Sequence, residues 1–75
     1  MGRLSGFSGR AARRVAESNG WILVRVAGDH FVFKKPGEAH NLSIPDHHEL
    51  KEALMRRLIR DMGLSVDEFL WSGRK

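Results

Sequence analysis

The sequence contains no cysteine, only two prolines and no long apolar run. Without cysteine the chain can form neither disulfides nor thiolate metal sites, which fits a protein of a reducing compartment. No stretch approaches the roughly 20 apolar residues that a membrane-spanning helix requires. The N-terminus also lacks the apolar core of a signal peptide. We therefore expect a cytoplasmic protein.

The length of 75 residues limits the chain to one domain. A domain of this size buries only about 60% of the surface that its unfolded chain exposes, so its core is thin. We expect a flexible Gly- and Ser-rich segment at residues 1–7, a single domain at 8–71 and a short tail at 72–75. A monomer is the simplest expectation for the free chain.

The net charge of +4 is unevenly distributed. Residues 1–35 carry seven basic and two acidic side chains, a net charge of +5, whereas residues 36–75 have a net charge of −1. A positively charged half attracts polyanions such as RNA over a distance. An ordinary basic surface on a soluble domain is the alternative interpretation of the same charges.

The N-terminal half predicts one helix. It runs from about residue 10 to 19, with Ser8 as its N-cap and Gly20 at its end. Three arginines lie within little more than one of its turns: Arg10, Arg13 and Arg14. Because only Glu17 offsets them locally, these side chains are candidates for binding phosphate.

A β-hairpin follows, with strands at 21–26 and 30–35 joined by Gly28-Asp29, a pair that favours a type II′ turn. The expected register sorts the side chains by face. The predicted core face holds Ile22, Val24, Val26, Phe31 and Phe33. The predicted open face holds Trp21, Leu23, Arg25, Ala27, His30, Val32 and Lys34.

A third strand at 41–44 and two helices complete the expected order. The longer helix is predicted from about residue 48 to 62, where Asp46 and Glu49 have the spacing of a capping box. Ser65 and Glu68 have the same spacing before a short final helix. We expect an α+β fold of order α-β-β-β-α, in which a three-stranded antiparallel sheet carries two helices on one face, with a short C-terminal helix.

Several short motifs occur together in a distinctive order. They are Ser8-Gly9-Arg10, Gly20-Trp21, Arg25, Gly28-Asp29-His30, Ile44-Pro45-Asp46-His47, Glu49-Leu50-Lys51, Gly63-Leu64-Ser65 and Glu68-Phe69. No one of these motifs is specific, but their order and spacing resemble the HicA (YcfA-like) family of toxin ribonucleases. The resemblance extends from about Ser8 to Phe69.

The resemblance implies a fold like that of double-stranded-RNA-binding domains (dsRBD-like). It also implies metal-independent cleavage of mRNA, no cofactor, and neutralisation by a HicB-type antitoxin. The family's catalytic histidine lies in a Gly-Ser-His motif, which corresponds here to Gly28, Asp29 and His30. The sequence departs from that motif at Asp29, which stands where the family usually has serine.

These residue types suit RNA cleavage. The 2′-OH of RNA can attack the adjacent phosphorus, so the protein has to supply proton transfer and charge stabilisation. His30 can take or give that proton, and Arg25 and Lys34 on the same predicted face are suited to holding phosphate. Asp29 either favours the imidazolium form of His30 and repels the RNA phosphate, or it fits the turn and points away.

Other candidates have less specific patterns. His47 and His48 suit either a second acid or base or an exposed pair at a helix start. Together with His40 they match no standard zinc-site spacing. Trp21 either stacks on a base or covers the sheet edge. The arginines of the longer helix lie close to acidic residues, which favours a solvated mixed-charge face.

Three functions remain compatible with the sequence. The first is a HicA-type endoribonuclease that uses His30. The second is a non-catalytic RNA-binding module of the same fold, which would bind RNA in a salt-sensitive manner without cleaving it. The third is an interaction domain whose open face binds an antitoxin-like protein.

Overall fold

The computed structural model describes residues 3–73. Its elements, in chain order, are α1 (Gly9–Ser18), β1 (Ile22–Ala27), β2 (His30–Lys34), β3 (Leu42–Pro45), α2 (Glu52–Asp61) and α3 (Val66–Ser72). The predicted order α-β-β-β-α with a short C-terminal helix is confirmed. None of these helices, the longest of which has ten residues, is long and apolar enough to cross a membrane within the described range.

The three strands form one antiparallel sheet in the order β1-β2-β3. The β1–β2 turn is Gly28-Asp29, as expected, and Gly28 takes the positive φ of 62° that the first central position of such a turn requires. Near the turn the predicted register is confirmed, because Ala27 pairs with His30 and Arg25 pairs with Val32.

The predicted core face of β1 is wrong. The register shifts by one residue around Val24, so Leu23 lies opposite Phe33 and Ile22 lies opposite Lys34. As a result Leu23 packs against the core, while Ile22 is 57% exposed and Val24, in the bulge, is 48% exposed, because a bulge exchanges the faces of the residues beyond it. Val26 lies before the shift and still pairs with Phe31, but it is 58% exposed. β1 is an edge strand that the helices cover only in part.

Two residues of the predicted open face are also buried. Trp21 is 2% exposed and belongs to the core cluster, since it precedes β1 and turns inward from the end of α1. Val32 is 7% exposed, because it lies in the central strand between Arg25 and Ser43 on its two neighbours. A central strand is shielded by the side chains on both sides even where no helix covers it.

The core lies between the sheet and the helices. Helices α1 and α2 both pack on β3, and α3 contacts α1 and α2. The largest fully buried side chains come from every layer: Trp21, Phe33, Phe69, Leu4, Leu42, Ile44, Met55, Leu58 and Val15. Small residues on the buried face of α1, Ala12 and Ala16, allow this helix to lie close to the sheet.

The predicted start of the longer helix is wrong. Residues 46–51 are irregular, and α2 begins at Glu52 after Lys51, which forms no side-chain cap. The segment instead bonds to the N-terminal chain, where the Leu50 N–H donates to the Phe7 carbonyl over 2.8 Å. The backbone N–H of this irregular segment is thus satisfied by the N-terminal chain. The second predicted capping box, Ser65 with Glu68, is confirmed.

The N-terminal segment contributes to the core. Leu4 is 1% exposed, and the ring of Phe7 meets that of Phe69 edge to face with centroids 5.2 Å apart. Part of the predicted flexible segment, residues 1 and 2, lies outside the described residues, as do residues 74 and 75 of the predicted tail. Burial of Leu4 and Phe7 ties the start of the described chain to α3.

Gly9, the first residue of α1, lies against the backbone that follows β3. Its N–H donates to the His47 carbonyl over 2.9 Å, and a Cβ at this position would lie 1.8 Å from the Pro45 carbonyl oxygen. Since backbone cannot swing aside as a flexible side chain can, only glycine allows this approach.

We predict that Gly9→Ala lowers the free energy of unfolding by about 1–3 kcal/mol, because α1 has to move away from Pro45. Urea denaturation monitored by circular dichroism measures this change. Gly73→Ala is the matched control, because Gly73 has a helical φ of −69° and a Cβ there meets its neighbours at 3.6 Å or more. Equal stability of the two variants would contradict the prediction.

Candidate active site at the hairpin tip

The carboxylate of Asp29 binds two histidines at the tip of the β1–β2 hairpin. Its Oδ1 accepts a hydrogen bond from Nδ1 of His30 over 2.8 Å, and its Oδ2 accepts one from Nε2 of His47 over 2.9 Å. The three side chains are about half exposed to solvent. Asp29 therefore does not point away from the site; it joins the first residue of β2 to a residue that follows β3.

Backbone contacts bring these residues together. His30 pairs with Pro45 at the end of β3, and the Asp46 N–H donates to the Asp29 carbonyl over 2.6 Å. His47 follows directly, and its own carbonyl accepts from the N–H of Gly9. The hairpin tip, the end of β3 and the start of α1 thus meet at one end of the molecule.

The hydrogen bonds determine the electrostatic state of the cluster. The bond from His47, and then the bond from His30, lower the pKa of Asp29 below its ordinary value of 3.8. Asp29 is consequently ionised at neutral pH and accepts N–H donors at both oxygens. This fixes the tautomers, because the N–H groups at His30 Nδ1 and His47 Nε2 leave His30 Nε2 and His47 Nδ1 as the nitrogens available for proton transfer.

The two cations predicted beside His30 lie at different distances from it. By strand pairing, Arg25 and Lys34 share the open face with His30, as expected. Arg25 pairs with Val32 and is therefore the diagonal neighbour of His30, within reach of a long side chain. Lys34 lies four residues further along β2, roughly 13 Å away. Arg25 is therefore the nearer of the two cations to His30.

The three arginines of α1 lie on the other side of the hairpin tip. Arg10 Nε donates to Asp46 over 3.3 Å, and Arg13 pairs with Glu17 while its guanidinium lies 4.8 Å from the centre of the Phe31 ring. The guanidinium of Arg14 is exposed and forms no ion pair with any residue from 3 to 73. A groove of about 350 Å³ runs along all three arginines.

A second groove, of about 370 Å³, lies between the start of α1 and the segment after β3. Ser8, Arg10, Asp46 and His47 contribute to its wall. Arg10 therefore borders both grooves, and the pair of grooves extends the site from the histidine cluster along the basic side of α1.

Residues 9–64 match the family model for the HicA toxin of bacterial toxin–antitoxin systems. The chain belongs to the HicA toxin family. The match covers most of the chain and includes Gly28-Asp29-His30 and His47, while α3 lies beyond it. A search among curated proteins finds no significant relative.

Membership of the HicA family has consequences for function. Proteins of this family are the toxins of toxin–antitoxin pairs and are generally endoribonucleases, so RNA is the general target and a HicB antitoxin the general partner. The cluster at the hairpin tip carries the histidine that the family motif indicates.

The other candidate residues from the sequence make contacts that stabilise the fold or pair charges on its surface. Trp21 is buried, which excludes base stacking in this conformation, and its ring lies 5.5 Å from that of His40. His40 in turn bonds to the Asp61 carbonyl. Two of the α2 arginines form the expected mixed-charge pairs, Arg56 with Glu52 and Arg57 with Asp61. No group of His, Asp or Glu among residues 3–73 is arranged to hold a metal ion.

The contact between His47 and Asp29 was not predicted from the sequence. One of the two interpretations of His47 put it at the start of a helix, whereas the residue belongs to the irregular segment after β3. The signal was present in the topology, because the end of an antiparallel β3 has to lie beside the start of β2. The register of β3, which the turn at Pro36-Gly37 leaves undetermined, was the missing information.

We predict that Asp29→Asn lowers the free energy of unfolding at neutral pH and that the difference from wild type disappears in acid. The folded-state pKa of Asp29 is depressed, so its ionised form stabilises the fold above pH 3.8, and this contribution is lost as the pH falls through the folded-state value. Urea denaturation at a series of pH values measures it. A difference that is constant from pH 7 to pH 2 would argue against the ionic role of Asp29.

Proposed function

We propose that this HicA family member is a metal-independent endoribonuclease that cleaves mRNA and is neutralised by a HicB-like antitoxin. His30 serves as a general acid or base, Arg25 holds the scissile phosphate, and Lys34 with Arg10, Arg13 and Arg14 binds the RNA backbone. The observation that carries the proposal is the arrangement of His30, whose Nδ1 is held by Asp29 while Nε2 has no partner among residues 3–73, on the sheet face that Arg25 shares.

The chemistry requires little else from the protein. The 2′-oxygen of RNA attacks the adjacent phosphorus, and the bond from phosphorus to the 5′-oxygen breaks, which leaves a 2′,3′-cyclic phosphate and a 5′-hydroxyl. His30 Nε2 is suited to moving one of the two protons involved, since its ring is fixed by a hydrogen bond. The guanidinium of Arg25 suits the charge that builds up on the phosphoryl oxygens.

The negative charge of Asp29 is compatible with RNA binding. Both carboxylate oxygens already accept imidazole N–H groups, which partly neutralise the charge that a phosphate would meet. An ionised Asp29 also stabilises the imidazolium that forms at His30 when it accepts a proton. We therefore propose that Asp29 orients His30 in an active enzyme.

The test is cleavage of a purified mRNA in the presence of EDTA by wild type, His30→Ala and His30→Asn. We expect the wild type to cleave the RNA. The cleavage rate of both variants should be lower by about 100-fold or more, which is the usual contribution of a general acid or base. Asparagine keeps a donor near the position of Nδ1, so His30→Asn preserves the bond to Asp29 but cannot transfer a proton.

Retained cleavage by a folded His30→Asn protein would refute the role of His30. Cleavage by no protein, together with salt-sensitive RNA binding, would favour a non-catalytic RNA-binding module. If the protein neither cleaves nor binds RNA but binds a partner protein at its open face, an interaction domain would be favoured. Circular dichroism establishes that each variant is folded.

We further predict that Arg25→Gln and Lys34→Gln affect different kinetic parameters. Loss of Arg25, beside His30, should reduce kcat, whereas loss of the more distant Lys34 should mainly raise KM and lower the salt dependence of RNA binding by about one phosphate contact. Steady-state kinetics and binding at several salt concentrations measure both effects. Equal losses of kcat in the two variants would contradict the assignment of the phosphate to Arg25.

A further inference from the structure

His47 is the second imidazole of the cluster and has no part in the function proposed above. Its Nε2 is held by Asp29 Oδ2 over 2.9 Å, as the Nδ1 of His30 is held by Oδ1 over 2.8 Å. The ring is about half exposed and borders the groove that begins at α1. His48, the next residue, is exposed and has no hydrogen bond or ion pair with residues 3–73.

The geometry suits a pair of groups acting on one bond. Because the two imidazoles bind the two oxygens of a single carboxylate, both lie within reach of one phosphodiester. Each keeps one ring nitrogen without a partner among residues 3–73, namely His30 Nε2 and His47 Nδ1. With one ring nitrogen bonded to Asp29, neither imidazole can accept one proton and donate another to the substrate at the same moment, so concerted cleavage benefits from two.

We propose that His47 is the second proton-transfer residue of RNA cleavage and works with His30 across one phosphodiester. This inference rests on the endoribonuclease function proposed above. Asp29 is the positioning residue for both rings, and the N–H of Gly9, which bonds to the His47 carbonyl, fixes the backbone from which the second ring extends.

The step balances without a further reactant. One imidazole accepts the proton of the 2′-OH while the 2′-oxygen forms its bond to phosphorus. The other, as imidazolium, donates a proton to the 5′-oxygen while the bond from that oxygen to phosphorus breaks. Neither atoms nor electrons are needed from outside, and the two histidines exchange protonation states through water before the next turnover.

The first experiment compares single-turnover cleavage of a saturating RNA by wild type, His30→Asn and His47→Gln. Glutamine places a donor near the position of Nε2, so His47→Gln preserves the bond to Asp29 and removes only proton transfer. We expect this variant to lose about 100-fold or more in rate, with unchanged RNA affinity. His40→Gln is the matched control and should retain the wild-type rate, because it makes the same change at a histidine whose Nε2 bonds to the Asp61 carbonyl and not to Asp29.

The second experiment uses the same RNA with sulfur in place of the bridging 5′-oxygen. A thiolate leaves without protonation, so the variant that lacks the general acid should regain most of its rate, and the other variant should not. Recovery of His47→Gln assigns the acid to His47; recovery of His30→Asn assigns it to His30 and the base to His47. Added imidazole should likewise restore part of the rate of His47→Ala, which covers the case of a poorly folded glutamine variant.

The outcomes separate this inference from the function on which it rests. A rate for folded His47→Gln close to wild type, with His30→Asn inactive, would overturn the role of His47 and leave the endoribonuclease intact. Loss of rate without recovery of either variant on the sulfur substrate, or by imidazole, would also overturn it and reduce His47 to a structural residue. A wild type that cleaves no RNA would overturn both.

Discussion

The Asp29 carboxylate is the one group that all parts of the site share. Two imidazole N–H groups donate to it and hold its pKa below the ordinary value, and in return it fixes the orientation and tautomer of both rings. Each histidine alone would be an exposed side chain with free rotation. Held by one carboxylate, the two rings lie together at the hairpin tip, and Arg25 follows on the same face of the sheet as His30.

That arrangement depends on a junction of backbone groups. The Asp46 N–H bonds to the Asp29 carbonyl, and the Gly9 N–H bonds to the His47 carbonyl, so α1, the hairpin and the end of β3 hold one another. The absence of a Cβ at Gly9 allows the helix to approach this closely. The residues that an extended α2 would contain instead form the irregular segment that carries His47. Hydrogen bonds between segments that are distant in the chain thus position the site.

The same arrangement places the histidine cluster next to the basic surface of the molecule. The histidines lie at one end, the arginines of α1 extend from it along two grooves, and Lys34 lies further along the open face. A polyanion that crosses this surface meets cations on both sides of the histidine cluster. β1 is an exposed edge strand, and its side chains Ile22, Val24 and Val26 add apolar surface to this side of the molecule.

The sequence by itself determined the elements whose causes are local. Glycine at the first central turn position set the hairpin, Ser65 and Glu68 capped α3, and the spacing of motifs indicated the family. Long-range contacts decided the rest. The register shift at Val24 exchanged the faces of Ile22 and Leu23, Trp21 became buried in the core, and His47 and Leu50 bonded to the N-terminal chain in a segment that was expected to extend α2. The contact between His47 and Asp29 belongs to this second group, because it joins residues 18 positions apart through the pairing of β2 with β3, and no local pattern specifies that register.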